Sequence, residues 1–372
     1  KYIIWYSKSV DFVKYLSKFK RFKEDYMKRI LVLLMCLVLA MGVMTACGKK
    51  DENDAKTNVD TGTKGGVKTG LAVITSAELS KDAGDADGLA QVDSTAAAVI
   101  VDENGVIIDC VIDVVQTKIK FSKTGEITTD PAAEFVSKHE LGDAYKMREA
   151  SPIGKEWNEQ ATALSEYIIG KTLDEVKGIA IDEKGTATSA DLTSSVTMKV
   201  GSMLEAVEKA VTNAVPLGAS AGDKLGLGII SKLGKSTKNA GDGDGVAQAY
   251  THYGVVTLGS DGKITSSIID ASQANINFSI EGKITSDKAA TFQTKNELGD
   301  GYNMKGASPI GKEWFEQSKA FADYIVGKTV GEVTGIALND SGAPTSTDLT
   351  SSVTVSIGDF LTVIEKACTT AK

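Results

Sequence analysis

Asp191-Leu-Thr-Ser-Ser-Val-Thr197 returns unchanged as Asp348-Leu-Thr-Ser-Ser-Val-Thr354, and no other run this polar is repeated so faithfully in the chain. Apolar residues follow each copy at helical spacing: Val200, Met203, Leu204, Val207 and Val211 after the first, and Ile357, Phe360, Leu361, Ile364 and Cys368 after the second. The spacing predicts a helix that begins at the heptapeptide. A helix N-terminus with free N–H groups suits an anion such as phosphate. The alternative, which the residues alone favour, is that Asp, Ser and Thr only cap the helix.

The heptapeptide belongs to a long internal duplication. Gly84 pairs with Gly241 and Trp157 pairs with Trp314, each 157 positions apart, and the register holds without a gap to the end of the chain. A period of this length indicates two domains rather than a solenoid. We place the two repeats at residues 70–215 and 223–372.

Each repeat begins with signals for antiparallel strands. Asn-Gly and Asp-Gly turns, at Asp102–Gly105 and Gly259–Gly262, separate runs rich in β-branched residues and therefore predict hairpins. A further turn is predicted at Lys123–Gly125, with its counterpart at Glu281-Gly282.

Helical signals follow in each repeat. Ser151-Pro152, like Ser308-Pro309, is predicted to start a helix that stops at Gly170, or at Gly327 in the second copy. Capping boxes then open short helices, at Thr172 with Glu175 and at Thr329 with Glu332. The predicted fold class is α+β, with two tandem copies of a small antiparallel sheet and its packed helices.

The N-terminal region has the pattern of a bacterial lipoprotein. Met27-Lys-Arg and the apolar run after it resemble a secretory signal, and Met44-Thr-Ala-Cys47 matches a lipobox. We predict an upstream extension of the reading frame at 1–26, a signal peptide at 27–46, a lipid-modified Cys47, and a polar disordered tether at 47–69. The protein is thus expected at the cell membrane, lipid-anchored and extracytoplasmic. The alternative is an uncleaved anchor.

Composition excludes several classes of function. The formal net charge is −8, but residues 1–46 carry nine basic and three acidic side chains, so the remainder carries −14 and would repel nucleic acid. Cys110 and Cys368 are not repeated, and we expect both to be core residues. The two histidines are also unmatched, so neither a metal site nor a shared histidine site is predicted.

Two acidic patterns could indicate a calcium site or a carboxylate dyad, but neither function is favoured. The turns containing Asp87-Gly88 and Asp244-Gly245 lack other calcium ligands, so a calcium site is not favoured. Glu156 with Glu159, and Glu313 with Glu316, could form a carboxylate dyad, but a solvated helix face is the favoured interpretation.

Aromatic residues and sulfur stand close to the repeated polar runs. Tyr145, Met147 and Trp157 recur as Tyr302, Met304 and Trp314. Aromatic faces beside an anion-binding helix end could hold a planar phosphorylated ligand such as FMN. The alternative, favoured by these residues alone, is that they fill a small core.

The order of these features resembles the FMN-binding domain of bacterial envelope proteins and of subunits of sodium-pumping quinone reductases. The opening Asp-Gly strand, the Asn104–Ile107 and Asp261–Ile264 hairpins, and the heptapeptide match that family's order, including its terminal Asp-x-x-Ser-Gly-Ala-Thr motif. The resemblance covers most of each repeat. It implies a flavoprotein that exchanges electrons with membrane redox partners.

The resemblance also implies roles for individual residues. Thr197 and Thr354 would accept FMN through a phosphoester formed by a separate flavin transferase, and Asp191, Ser194, Asp348 and Ser351 match other polar positions of the motif. Ser195-Val196 and Ser352-Val353 replace the family's Gly-Ala, and we expect them to obstruct the approach to each threonine. The rival hypothesis is a non-redox ligand-binding or structural module of the envelope that has lost the flavin. In either case an electron carrier or binding protein is favoured over a substrate-converting enzyme.

Overall fold

The computed structural model describes residues 66–237 and 243–372. The predicted upstream extension, signal peptide and Cys47, together with the tether as far as residue 65, lie outside the described residues. In the described ranges no helix combines the length and the apolar character needed to cross a bilayer.

The first repeat contains a three-stranded antiparallel sheet in the order β1-β2-β3. Its strands are β1 (Lys68–Ser76), β2 (Gly88–Val101) and β3 (Ile107–Phe121). Strand β1 begins inside the predicted tether, and Thr69 is fully buried, so the tether prediction is wrong for its last residues. The predicted hairpin between β2 and β3 is confirmed, because Gly105 takes a φ of 81° in its turn.

The second sheet has four strands and includes a segment of the first repeat. Its order is β4-β5-β6-β7, with β4 (Glu134–Phe135), β5 (Lys224–Leu233), β6 (Gly245–Leu258) and β7 (Ile264–Phe278). Strand β4 comes from repeat 1 but pairs with β5 of repeat 2, Glu134 lying opposite Lys232. Both sheets are antiparallel, and with their helices they make the α+β fold that the sequence predicts.

The helices of the two repeats correspond one to one. Repeat 1 contains α1 (Lys138–Leu141), α2 (Trp157–Ile168), α3 (Leu173–Lys177), α4 (Ala190–Thr193) and α5 (Gly201–Asn213), and repeat 2 contains α6 (Lys295–Leu298), α7 (Trp314–Ile325), α8 (Val330–Thr334), α9 (Thr347–Thr350) and α10 (Gly358–Thr370). The capping boxes predicted for α3 and α8 are confirmed.

The predicted helix start at Ser151-Pro152 is wrong. Residues 151–154 form a turn in which the N–H of Gly154 donates to the carbonyl of Ser151 at 3.0 Å. Helix α2 begins only at Trp157, where Glu156 is the N-cap of a capping box with Glu159. The same displacement occurs at Pro309, since α7 begins at Trp314. A glutamate N-cap is not among the preferred residues, which is why the sequence pattern pointed to the earlier Ser-Pro.

Alternation along the strands divides the interior into layers. One face of the first sheet, including Val99 and Ile112, packs on α2 and α5, and the second sheet packs on α7 and α10 in the same way. The other faces of the two sheets pack against each other, with Ile100 of repeat 1 and Tyr253 of repeat 2 in one buried cluster. The arrangement is helices, sheet, sheet, helices. The two repeats therefore share a core.

Buried hydroxyls join the two sheets as well. Thr117 Oγ1 donates to Ser231 Oγ at 2.7 Å, and Thr69 Oγ1 lies 2.9 Å from Ser266 Oγ, each pair linking one repeat to the other. These polar groups are satisfied by each other, as buried polar groups generally must be. At another part of the interior the rings of Phe121 and Phe278 stack with centroids 4.4 Å apart.

Candidate functional site

The heptapeptide does not form the N-terminus of the long helix. Asp191 lies in the four-residue α4, whose C-cap is Ser194, and α5 begins after the N-cap Val200, three positions beyond Thr197. No side chain caps α5. Repeat 2 has the same arrangement, with Ile357 as the N-cap of α10. Both the capping interpretation and the anion site at the start of the long helix are therefore wrong.

One glutamine holds the end of the heptapeptide. Gln160 is fully buried on α2, and its Oε1 accepts the backbone N–H of Thr197 at 2.8 Å and that of Met198 at 3.2 Å. Thr197 Oγ1 also donates to this oxygen, at 3.3 Å. The amide Nε2 of Gln160 donates to Ser151 Oγ at 3.0 Å. The two most repeated polar runs of the chain are thus joined through Gln160.

The second repeat reproduces this arrangement closely. Gln317 Oε1 accepts from the N–H of Thr354 at 2.8 Å and from that of Val355 at 3.2 Å, and its amide donates to Ser308 Oγ at 3.1 Å. The N–H groups that an anion would use at each threonine are already paired with an amide oxygen.

The polar side chains of the motif differ in exposure. Asp191, Ser194, Asp348 and Ser351 are exposed, whereas Thr197 and Thr354 are half-buried. Val196 and Val353 are fully buried in the helix-facing cores. The valine side chains therefore belong to the cores, and the obstruction expected from Ser195-Val196 and Ser352-Val353 stays a prediction.

Glu156 fixes the loop before α2. Its carboxylate accepts the N–H groups of Met147 at 2.7 Å and Arg148 at 2.9 Å, and its own N–H donates to Glu159 at 2.6 Å. Burial raises the pKa of Glu156, but these backbone hydrogen bonds outweigh burial and hold the pKa below its usual value. Glu313 makes the equivalent contacts with Met304 and Lys305. The solvated-face interpretation is wrong, since Glu156 and Glu313 are both buried.

The predicted aromatic residues surround a lysine that the sequence analysis missed. Lys138 Nζ lies 4.5 Å from the ring centroid of Tyr145 and 5.1 Å from that of Trp157. Trp157 is buried, and His139 also approaches its ring edge-on, with centroids 5.5 Å apart. Burial lowers the pKa of Lys138 to about 8, although the charge of Asp93 acts in the opposite direction. A cation over aromatic faces is a stabilising arrangement.

The corresponding lysine of repeat 2 is enclosed more completely. Lys295 Nζ lies 4.4 Å from the ring centroid of Tyr250, 4.5 Å from that of Tyr302 and 4.8 Å from that of Trp314. It also donates to Tyr250 Oη at 2.6 Å. Burial lowers the pKa of Lys295 to about 7, and the charge of Asp270 partly offsets this effect. The aromatic faces that a flavin could have used are directed at a lysine in both repeats.

A buried aspartate positions each lysine. Asp113 Oδ1 on β3 accepts the N–H of His139 at 3.1 Å, directly after Lys138. Asp270 on β7 accepts the N–H of Asn296 at 3.0 Å, directly after Lys295. The pKa of Asp270 is raised to about 7 by burial. The lysine sites could have been found from the duplication, because Lys138 is repeated as Lys295 and Asp113 as Asp270, each 157 positions later.

The remaining chemistry-bearing groups have structural contacts. Asp87 of the calcium-like turn accepts the hydroxyl of Thr128 at 2.6 Å. Across the ranges 66–237 and 243–372, no three or more His, Cys, Asp or Glu side chains are grouped as metal ligands. Cys110 is buried as expected, while Cys368 is only partly buried, and both are free thiols.

Comparison with known proteins finds a short similarity to a reductase. No protein-family model matches the chain, and no solved structure matches it. Over 42 residues the chain is 50% identical to a chlorophenol reductase of Desulfitobacterium hafniense. That alignment covers 11% of this chain and 13% of the length of that protein. Such coverage is too small to assign a family.

Proposed function

We propose that the protein is a lipid-anchored, extracytoplasmic electron carrier in which Thr197 and Thr354 each bear FMN through a phosphoester. The FMN resemblance and the lipobox at Cys47 motivate the proposal. The observation that carries it is the position of the two threonines. Each hydroxyl is half-buried at the surface, in the same hydrogen-bonded loop of its repeat.

The loop supports covalent attachment better than simple binding. If Thr197 Oγ1 were esterified, Gln160 Oε1 would still accept two backbone N–H groups, so the loop would keep its conformation. Val196 anchors the same loop in the core. By contrast, a free phosphate would have to displace Gln160 from those N–H groups. Residue types and geometry thus fit a phosphoester.

When bound, the flavin supplies reversible electron transfer, and the protein supplies orientation and electrostatics. In this chain Gln160 and Gln317 fix the backbone of the acceptor threonines, and the exposed Ser194 and Asp191 leave the outer side open to a flavin transferase. The short similarity to a protein named as a reductase is in keeping with a redox role. The proposed partners are the membrane, a flavin transferase and membrane redox carriers.

The second candidate function is a non-redox binding or structural module of the envelope. It is favoured by the aromatic rings, because Trp157 and Trp314 are buried and each faces a lysine rather than an open ligand site. Under this alternative the threonine hydroxyls stay unmodified.

The test is intact mass and visible absorbance of the full chain after co-expression with a flavin transferase in a secretion system. We expect a yellow protein with two FMN groups, one FMN in Thr197→Ala or Thr354→Ala, and none in the double variant. Thr193→Ala is the matched control within the same heptapeptide and should retain both groups. A colourless protein of unmodified mass would exclude covalent flavin, and the binding or structural module would then stand.

A further inference from the structure

Two equivalent clefts lie between the repeats, and each takes its walls from both. The larger, which we call the α2–α10 cleft, has a volume of about 750 Å³ and is lined by α2 and β3 of repeat 1 together with β5 and α10 of repeat 2. The smaller, the α5–α7 cleft, has about 450 Å³ and is built from the corresponding elements. Both volumes lie in the range of small-molecule sites.

The α2–α10 cleft is separate from the proposed flavin threonines. Asn158, Thr162 and Glu166 on one side of α2 line it, whereas Gln160 on another side of the same helix holds Thr197. A ligand in this cleft would therefore be independent of the flavin.

The floor and rim of the α2–α10 cleft have opposite character. Val111 and Ile169, which are partly buried and exposed respectively, contribute apolar surface, while the exposed Glu166 and Glu365 add carboxylates. Lys366 is already paired with Glu140. Within the described residues, Glu166 and Glu365 have no ion-pair partner.

Deeper polar atoms in the cleft also accept hydrogen bonds. Asn158 Oδ1 is buried without a hydrogen-bond partner among the described residues, which is costly unless a ligand supplies a donor. Asp109 adds a partly buried carboxylate, and burial raises its pKa. Asp109 already accepts the backbone N–H of Cys110, so the acceptors left to a ligand are Asn158 Oδ1 and the two glutamates, and Lys372 also lines this cleft.

The α5–α7 cleft differs from the α2–α10 cleft in two residues of the helix that lines it. Thr162 of α2 corresponds to Lys319 of α7, whose ammonium group pairs with Asp323 at 2.7 Å, and Asp323 corresponds to Glu166. Phe315 replaces Asn158 and occupies space in the smaller cleft. Both side chains of this pair are largely exposed, so in repeat 2 the protein supplies an alkylammonium group at the rim of the cleft and more of its own apolar filling.

We propose that the α2–α10 cleft binds a small organic ammonium ion with an apolar body. The ammonium group takes the place that the Lys319 side chain has in repeat 2, beside Glu166 at the rim of the cleft. The apolar body lies on Val111 and Ile169, where its burial is favourable. The ligand thus gives Glu166 the ammonium partner that Asp323 receives from Lys319 in the other cleft.

The experiment uses n-hexylammonium chloride as the probe, with hexanol and hexanoate as uncharged and anionic comparisons. Binding to the purified full chain, produced without a flavin transferase, is measured by ligand-observed NMR at low ionic strength. We expect a Kd on the order of 1 mM for hexylammonium and binding at least about tenfold weaker for the other two.

Two variants test the location. Thr162→Lys introduces the lysine of repeat 2 beside Glu166 and should weaken hexylammonium binding at least about tenfold. Glu166→Gln removes the carboxylate and, as an independent variant, should also weaken this binding. Lys319→Thr in the other cleft is the matched control and should leave this binding unchanged. Equal binding of hexanol and hexylammonium, or unchanged binding in both cleft variants, would overturn the proposal. Neither result bears on flavin attachment, which is read by mass.

Discussion

Replacing Gln160 with leucine tests whether the heptapeptide is held by a single buried amide. The substitution keeps a similar volume but removes the oxygen that accepts the N–H groups of Thr197 and Met198. Each buried donor left without a partner costs about 1–3 kcal/mol. Because the loop is only partly buried and water reaches part of it, we expect a total loss of about 2–4 kcal/mol.

The assay is thermal unfolding of the purified chain followed by circular dichroism. For a folded unit of this size, about 2 °C of Tm is lost for each kcal/mol, so Gln160→Leu should melt about 4–8 °C lower. Gln317→Leu should lose a similar amount, and the double variant should show the sum because the two glutamines lie in different repeats and share no hydrogen-bond partner. Gln116→Leu is the control, since this partly buried side chain makes only one long hydrogen bond, at 3.4 Å.

The result that would refute this reasoning is a Tm within about 1 °C of wild type for both Gln160→Leu and Gln317→Leu. The heptapeptide would then be held by the burial of Val196 and Val353 rather than by the amide.

Two further predictions concern the lysine sites and the helix–strand packing. Burial lowers the pKa of Lys295 to about 7 from an ordinary value of 10.5, so the unfolded chain binds this proton more strongly and stability rises with pH from about 7 to 10. Lys295→Met should remove about 1 kcal/mol of that rise per pH unit, measured by urea unfolding at pH 7.5 and 9, and an unchanged pH slope would contradict the burial argument. Gly226→Ala should cost about 2–3 kcal/mol, because its Cβ would lie 1.9 Å from the carbonyl oxygen of Ala367 on α10. Gly222→Ala meets no atom within 4 Å and serves as the control in the same melting experiment; equal losses in the two variants would exclude close packing as the cause.

The turns and helix ends were predictable because glycine has a conformational role there that other residues fill poorly. Gly105 and Gly262 take positive φ in the hairpins, and Gly170 and Gly327 do so after the long helices. These are local properties, so the chain on either side of each glycine was sufficient to predict them.

Strands β1 and β5 were not predicted because their glycines are required by contacts with helices that are distant in sequence. A Cβ on Gly70 would lie 2.1 Å from the carbonyl oxygen of Ala210 on α5, and Gly226 has the same relation to α10. Small residues in these strands allow the helices to pack directly on the backbone. Local propensity therefore disfavoured strands that close packing requires.

The candidate site was predicted in part, and for a similar reason. The repeated residues were singled out from the sequence, but neither Gln160 nor Lys138 was assigned a role, since each acts on a segment distant in sequence. Gln160 reaches Thr197 across 37 positions. A repeated polar residue marks a fixed contact, but its partner is determined by packing.

The duplication is better understood as one folded unit than as two carriers placed in series. Tyr253 of repeat 2 is fully buried in a cluster with residues of repeat 1, and the pairs Thr117–Ser231 and Thr69–Ser266 bury hydroxyls between the sheets. Separating the repeats would expose this apolar face and leave the hydroxyls without their partners, at a cost in both burial and hydrogen bonding. Equivalent sites can therefore diverge while the shared core stays the same, as Thr162 and Lys319 have done in the two clefts. It follows that the contribution of each repeat has to be measured by paired substitutions in the intact chain rather than by truncation.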